Sequence, residues 1–276
     1  MTSDTSLTGT ARGHAERVPQ TSGYPWLARA GLIARGVVFG VIGILALKLA
    51  LGDGGKATNQ QGALQTIAQG SFGKVLLVVL ALGLAGYAIW RLVRAALGHG
   101  REDTDSTGER IGALASGVAY TLVCVTAIEI LAGSGSSSSG SPRAPTAGVL
   151  GWPAGPELVG VVGVIVIGVG VYQFYKGVSR KFLETTKTEL MSRPTEGVFT
   201  TVGVVGHVAR GVVFVLAGYG ILRAAIEYDP NKATGLDGAL RDLANASYGP
   251  WLLGVVAAGL IGFAAYSIAD ARYRRV

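Results

Sequence analysis

Six stretches of about 20 mostly apolar residues recur along this chain, each long enough to cross the roughly 30 Å hydrocarbon core of a bilayer as an α-helix. Runs of this length favour helices over buried strands, and the alternating pattern of membrane β-barrel strands does not occur. Only 15% of the residues are charged, against roughly 25% in soluble domains, so a soluble fold could not cover its surface. The sequence therefore predicts an all-α, polytopic membrane protein with six transmembrane helices. These helices are expected at 29–51, 73–94, 111–132, 157–178, 201–226 and 250–270.

Basic residues in the connecting segments predict the orientation of the helices. Fourteen lysines and arginines fall in the N-terminal tail, the second–third and fourth–fifth connections and the C-terminus, against four in the other connections. Lysine and arginine favour the cytoplasmic side of a membrane. Both termini are therefore expected in the cytoplasm.

Two segments outside the spans are expected to lack regular structure. The polar tail 1–25 has no recognisable signal peptide, so the first span is expected to act as an uncleaved anchor behind a disordered cytoplasmic tail. The outer segment 133–148 is rich in serine and glycine, which is typical of a flexible linker. Neither segment is expected to form a site.

The chain repeats itself at an offset of 175 to 176 residues. The segment Gly31–Phe39 (GLIARGVVF) recurs as Gly206–Phe214 (GHVARGVVF), and Gly83–Tyr87 (GLAGY) recurs as Gly259–Phe263 (GLIGF). In each copy the first segment lies in one span and the second in the next. The repeating unit is therefore a hairpin of two helices.

A degenerate middle copy completes the series. It carries Ser116–Gly117 in place of the Arg–Gly pair, and its Gly168 and Tyr172 correspond to Gly83 and Tyr87. Three hairpins of one orientation predict a parallel repeat with a pseudo-threefold arrangement about the membrane normal, rather than an inverted repeat. The second unit should match the others least well. The units are expected to span 26–97, 110–182 and 201–276.

These motifs resemble those of the DUF1206 family. They are Ala-Arg-Gly-Val-Val-Phe early in a span, Gly-Ala-Leu in an outer segment, and Gly-x-x-Gly-Tyr in the following span, and the resemblance covers about residues 26–276. It implies an integral membrane protein of a bacterial plasma membrane, built from paired-helix units. The family name records unknown function, so the resemblance implies no reaction, ligand or cofactor.

Lys48, Glu129 and Arg223 occupy one repeat position near the outer ends of the first helices. An ionisable group at such a depth is costly unless it is paired or reaches the interface. The three side chains are therefore candidates for a polar cluster that binds an anion or relays protons. Alternatively, each extends separately to the outer surface, or they form a salt bridge without a ligand. Pseudo-threefold packing predicts Glu129 within salt-bridge reach of Lys48 or Arg223.

Arg35 and Arg210 occupy a second repeat position, near the inner ends of the same helices. Their guanidinium groups suit the recognition of phosphate, so they are candidate contacts for an anion or a lipid phosphate. Alternatively, they are topology anchors that reach the inner headgroups. Gly36 and Gly211, which follow them, should let a neighbouring helix approach closely. Asp270 is a candidate partner for either arginine.

Aromatic residues recur near the inner ends of the second helices. Such a stripe is typical of an interfacial aromatic belt, and an aromatic ligand site is the alternative. The stripe comprises Tyr87, Trp90, Tyr172, Tyr175, Phe263 and Tyr266.

Catalytic constellations do not appear in the sequence. Its three histidines are His14, His99 and His207, and only the last lies within a span. A single cysteine excludes a disulfide framework or a cysteine-based metal site within one chain. No enzymatic activity, metal or cofactor is therefore expected.

Two functions remain open. The first is a non-enzymatic packing or accessory component of a membrane or envelope complex, favoured by short loops and 43 glycines. The second is a small transporter or channel-like protein for an ion or small anionic solute, favoured by the repeat and by charged positions at both faces. The expected partners are anionic lipid headgroups and another membrane protein. The net charge of +7 is explained by topology and lipid contact, without nucleic acid.

Overall fold

A computed structural model describes residues 24–97, 107–133 and 143–274. Six helices in this part of the chain are long and apolar enough to cross a bilayer, which confirms the six predicted spans. The predicted disorder of the tail 1–25 falls almost entirely outside the described residues. The helices are α1 (Tyr24–Leu51), α2 (Gln60–Ala68), α3 (Gly73–Leu97), α4 (Thr107–Leu131), α5 (Arg143–Leu150), α6 (Gly155–Val178), α7 (Arg193–Ile226), α8 (Leu236–Ala244) and α9 (Gly249–Tyr273).

The short helices α2, α5 and α8 join the two long helices of each repeat, so the unit is long–short–long. Asn59 caps α2 by accepting a hydrogen bond of 2.9 Å from the backbone N–H of Gly62. The prediction of a flexible linker over 133–148 is wrong for its last part, since α5 begins at Arg143. Pro145 lies in the first turn of α5, where a missing N–H costs no helical hydrogen bond. Residues 134–142 lie outside the described ranges.

The helix α7 begins eight residues before the predicted start at 201. Ser192 provides the cap by accepting from the backbone N–H of Thr195, and Pro194 follows in the first turn. With 34 residues, α7 is about 51 Å long at 1.5 Å per residue. Its first turns therefore extend beyond the hydrocarbon core.

The six long helices alternate in direction, so α1 begins and α9 ends at the same end of the bundle. We call this the basic end, because the fourteen basic residues counted above lie in or next to the connections and termini that belong to it. The short helices α2, α5 and α8 belong to the opposite end.

The long helices form an open ring. Going round it, α4 packs on α3, α3 on α1, α1 on α9, α9 on α7, and α7 on α6. The sixth contact is missing, because α4 and α6 do not pack against each other along their described lengths. Accordingly, only 22% of α4 and 17% of α6 are buried, against 39–56% of the other four spans. The second repeat is therefore a hairpin whose two helices stand apart.

At one position of the repeating unit, a glycine lies in close contact with the preceding repeat in all three copies. A Cβ at Gly36 of α1 would lie 2.7 Å from a side chain of α9. At the equivalent Gly117 of α4 it would lie 2.7 Å from a side chain of α3, and at Gly211 of α7 2.8 Å from a carbonyl of α6. The close approach predicted for Gly36 and Gly211 is thus observed. Each first helix packs on the second helix of the preceding repeat, as pseudo-threefold symmetry requires.

A second glycine position joins the two helices within a repeat, but in two repeats only. A Cβ at Gly31 would overlap the Cβ of Tyr87, and one at Gly206 would lie 2.6 Å from the Cα of Phe263. The equivalent glycine of the second repeat, Gly112, has no described neighbour within 4 Å. We refer to this space between α4 and α6 as the repeat-2 gap.

Candidate functional site

Arg35 points into the bundle. It lies seven residues inside the span that begins at Ala28, or about 10 Å along the helix, and is 7% exposed. Its Nε donates to Ser267 Oγ at 3.2 Å and a terminal nitrogen donates to the Tyr87 hydroxyl at 3.3 Å. Its Cζ lies 5.0 Å from the ring centroid of Phe263. Arg35 therefore bridges α1, α3 and α9, and the interpretation of Arg35 as a headgroup anchor is wrong.

Arg210 also points inward, but its surroundings are aromatic. Its Cζ lies 4.9 Å from the centroid of Phe39, 4.9 Å from that of Phe263 and 5.2 Å from that of Phe214. Cation–π contacts of this kind contribute roughly 0.5–2 kcal/mol each, depending on desolvation. Arg210 Nε is buried without a hydrogen-bond partner. Arg210 thus brings a charge and one unpaired buried donor among the aromatic rings of α1, α7 and α9.

The two arginines interact electrostatically, and the Cζ of each lies about 5 Å from the ring centroid of Phe263. Two like charges repel strongly where the surroundings are apolar. A negatively charged group near both would relieve this repulsion and could accept a hydrogen bond from Arg210 Nε.

A third arginine reaches the same place from α3. Arg91 Nε donates to the hydroxyl of Tyr87 at 3.1 Å, so this buried hydroxyl accepts from both Arg91 and Arg35. The Tyr87 ring also meets Tyr120 of α4 edge-on, with centroids 4.7 Å apart. Tyr87 therefore ties together cations from two helices and an aromatic ring from a third.

Asp270 is the one buried carboxylate among the described residues, and its partner is Arg274. Their closest atoms, Oδ2 and Nη1, lie 2.9 Å apart, and the Thr186 hydroxyl donates to Oδ1 at 3.4 Å. Burial lowers the pKa of Arg274, but Asp270 and nearby tyrosines outweigh it, so the pKa is raised overall. Asp270 was a candidate partner for Arg35 or Arg210. It pairs instead with Arg274, one turn further along its own helix.

The cluster is strongly cationic. Four arginines carry its positive charge, and Lys176 of α6, which is half-buried, lies within electrostatic range of three of them. Asp270 neutralises one of these charges. We call the set the cationic cluster. It consists of Arg35, Arg91, Lys176, Arg210 and Arg274 with the carboxylate of Asp270.

The connection between α6 and α7 covers part of the cluster at the basic end. Phe182 is fully buried there, and its ring stacks on that of His207 with centroids 5.0 Å apart. His207 Nδ1 donates to the Gly203 carbonyl at 2.8 Å, which fixes the orientation of the imidazole. Thr186 pairs with Arg274 in an isolated antiparallel bridge. This segment is therefore held against the ends of α7 and α9.

The aromatic stripe divides between the repeats. Its four rings in the first and third repeats are buried, so the interfacial belt is the wrong interpretation for them. The two rings of the second repeat are about half exposed, as a belt would be. The buried rings are Tyr87 (1% exposed), Trp90 (7%), Phe263 (0%) and Tyr266 (1%), and the exposed rings are Tyr172 (53%) and Tyr175 (49%).

The outer candidates lie at the opposite end of the bundle. Arg223 forms a salt bridge of 2.6 Å with Glu227, the C-cap residue of α7, and both side chains are well exposed. Solvent screening makes exposed pairs of this kind weak contributors to stability. Lys48 and Glu129 are exposed. A salt bridge from Glu129 to Lys48 or Arg223 stays a prediction.

Sequence reasoning missed part of the cluster. Arg91, Lys176 and Ser267 occupy one repeat position, a single helical turn after the aromatic residue of each second helix. Two basic residues and a hydroxyl at one repeat position could have indicated that this position contributes to a polar site. The sequence gives no comparable signal for Arg274 or Phe182, whose positions depend on how the ends of α9 and α6 pack.

The fold and the cluster together define a class: a membrane protein of six spanning helices in three parallel repeats, with a buried cationic cluster at one end. The family model described as "Domain of Unknown Function (DUF1206)" matches residues 30–98, 111–180 and 205–274. The chain therefore belongs to the DUF1206 family, and the three-repeat organisation is confirmed. It is 33% identical over 258 residues to "Uncharacterized protein YxxB" of Bacillus subtilis (strain 168), covering 91% of this chain and 93% of that protein. No solved structure matches it.

Proposed function

We propose that this protein binds an anionic group at the cationic cluster, as a small non-enzymatic transporter of an anionic solute. Of the two functions that the sequence left open, this is the one that the centre of the ring supports better. The observation that carries it is Arg210, a charged residue at the centre of the ring whose buried Nε has no hydrogen-bond partner.

The physical argument rests on the free-energy cost of placing an arginine inside the membrane. Placing an arginine inside a membrane span costs a few kcal/mol, and this chain places two against the ring of Phe263. Structural pairing explains Arg35, which donates to Ser267 and Tyr87. It does not explain Arg210. A phosphate or carboxylate would satisfy the guanidinium in the geometry that such groups prefer.

We further propose that the basic end faces the cytoplasm of a bacterial plasma membrane. The ratio of fourteen basic residues to four supports this orientation. The anion would then be bound from the cytoplasmic half of the bilayer.

One observation supports the alternative function, an accessory component of a membrane or envelope complex. The exposed faces of α4 and α6 are apolar, and a helix of another membrane protein could pack on them. Such packing would not need the cationic cluster.

The test is thermal unfolding of the purified full chain in an uncharged detergent. Inorganic phosphate and dihexanoyl phosphatidate are titrated separately, at constant ionic strength maintained with chloride. A ligand at about 100 times its Kd adds about 2.7 kcal/mol of stability, so a site-specific anion should raise Tm clearly.

Two variants of α7 make the test specific. Arg210→Gln should abolish the rise in Tm, whereas Arg193→Gln, which removes the same charge from an exposed position of the same helix, should keep it. The proposal fails if neither probe raises Tm, or if both variants lose the effect equally.

A further inference from the structure

We infer that the anionic ligand is a membrane lipid, whose headgroup reaches the cationic cluster sideways through the repeat-2 gap while its acyl chains stay in the bilayer. This inference rests on the proposed function and adds the substrate class and its route. It commits to a lipid headgroup rather than a water-soluble anion.

The first observation is that the gap is specific to the second repeat. A Cβ at Gly83 would lie 3.1 Å from the Ala30 carbonyl, and one at the equivalent Gly259 would meet the Cβ of Ala209. The equivalent Gly168, like Gly112 on the facing helix, has no described neighbour within 4 Å. The glycines that pack against the facing helix in the other two hairpins are thus also present in α4 and α6. No described residue packs against them there.

The second observation is that both edges of the gap lead to the cluster. Tyr120 of α4 meets the ring of Tyr87, which accepts hydrogen bonds from Arg35 and Arg91. Lys176 of α6 is only half-buried and lies within electrostatic range of the same two arginines. A headgroup that enters between these helices would pass Lys176 and Tyr120 and then reach Arg35 and Arg91.

The third observation concerns the medium, hydrocarbon or water, that the opening of the repeat-2 gap faces. The exposed faces of α4 and α6 are apolar along the span, so they face hydrocarbon and not water. At the basic end, the segment that contains Phe182 lies over α7 and α9. A lateral route suits an amphiphile, because its chains remain in the hydrocarbon while only its headgroup moves inward. The exposed residues include Leu114, Val118 and Leu122 of α4 and Val161, Ile165 and Val169 of α6.

A helix of a partner protein is the rival occupant of the gap. It would satisfy the apolar faces of α4 and α6, but it would leave the excess positive charge uncompensated. Since Asp270 already pairs with Arg274, the charge balance favours an anionic lipid.

The experiment measures which lipid the full chain retains. The protein is reconstituted into vesicles of equal parts phosphatidylcholine and phosphatidylglycerol, extracted in uncharged detergent, and the lipid bound per chain is quantified by mass spectrometry. Wild type should retain phosphatidylglycerol over phosphatidylcholine. Arg210→Gln should lower that preference about tenfold, as expected for the loss of charge-assisted hydrogen bonds, and Arg193→Gln should not.

Filling the gap tests the route. Gly168→Trp introduces a ring into open space, so the fold should be retained while the preference for phosphatidylglycerol is lost. A second set closes the gap covalently in a Cys124→Ser background, with a reducible cross-linker that carries two maleimide groups, because helices that do not pack together offer no disulfide geometry. The pair Ile111→Cys/Gly168→Cys spans the gap, and Ala30→Cys/Gly83→Cys is the matched pair in the closed first hairpin. Cross-linking should block phosphatidylglycerol uptake for the first pair only, and reduction should restore it.

The outcomes separate the two proposals. If inorganic phosphate raises Tm through Arg210 but phosphatidylglycerol is not preferred, the lipid inference is wrong and the proposed function stands. If neither probe nor lipid binds, both are wrong. Uptake that is unchanged in Gly168→Trp overturns the lateral route. Cross-links between chains at the gap positions would show that a second copy fills the gap, and would also overturn it.

Discussion

At the scale of single residues, Arg35 and Arg210 show how one repeat position acquires two roles. Arg35 donates to Ser267 and Tyr87, which come from α9 and α3. Arg210 meets rings instead, and its Nε has no partner. The first arginine holds helices together, and the second presents a charge.

This difference predicts unequal effects on stability. Arg35→Gln should lower the free energy of unfolding by about 1–3 kcal/mol, because the Ser267 hydroxyl loses its donor and Tyr87 keeps only Arg91 as a donor. Arg210→Gln should lower Tm less when no anion is added, because relief of the repulsion from Arg35 offsets the loss of the contacts with the aromatic rings. Thermal unfolding in chloride alone measures both, with Arg193→Gln as the control. A larger loss for Arg210→Gln than for Arg35→Gln would contradict these roles.

The sequence identifies these two arginines as candidates but not the direction in which they point. Their helices are apolar on every side, so no polar face indicates which side meets the bundle. An arginine near a helix end can extend to the headgroups or turn inward, and the choice depends on partners such as Ser267 and Tyr87. Those partners lie in other helices, 52 to 232 residues away in the chain.

At the scale of helices, the glycine positions govern which pairs pack. Repeats one and three place a glycine against an aromatic residue, as Gly31 does with Tyr87 and Gly206 with Phe263. These residues belong to the repeated motifs, but the sequence predicted close approach only at Gly36 and Gly211 and not this pairing. The open hairpin was not predicted either, because Gly112 and Tyr172 are the same residue types as Gly31 and Tyr87.

Matched alanine substitutions should separate closed hairpins from the open one. Gly206→Ala should destabilise the protein by about 1–3 kcal/mol, since the added methyl group overlaps Phe263 in a packed interface. Gly112→Ala should be neutral or stabilising by about 0.5–1 kcal/mol, because it adds helix propensity in open space. Thermal unfolding of both variants checks this. Equal destabilisation would mean that α4 and α6 pack together in the membrane.

The segment between α6 and α7 makes its own prediction. Phe182 is fully buried against His207, Phe199 and Tyr266. Phe182→Ala should therefore cost about 3–5 kcal/mol. It should also increase proteolytic cleavage between Val178 and Arg193 in inside-out vesicles. Unchanged cleavage would show that other contacts hold the segment in place.

At the scale of the whole molecule, the ring of six long helices has pseudo-threefold symmetry except at one place, where α4 and α6 do not pack together. Gly36, Gly117 and Gly211 make the same contact between successive repeats, and the missing contact falls within the repeat that lacks the arginine. Length and apolarity were enough to predict the six spans, and the recurring motifs were enough to predict the three repeats. The break could not be predicted, because it is a property of how the ring closes and not of any single span.

The proposed orientation, with the basic end in the cytoplasm, makes a prediction of its own. A reporter that works only in the cytoplasm should be active when fused after Val276. It should be inactive when inserted in the α2 connection, for example after Asp53. The reverse pattern would invert the bundle and place the cationic cluster at the outer face.

The most direct measurement of the central claim is equilibrium binding of radiolabelled dihexanoyl phosphatidate to the purified full chain. The cationic cluster predicts saturable binding at one site per chain, lost in Arg210→Gln and retained in Arg193→Gln. Binding that does not saturate, or that is equal in wild type and Arg210→Gln, would contradict it.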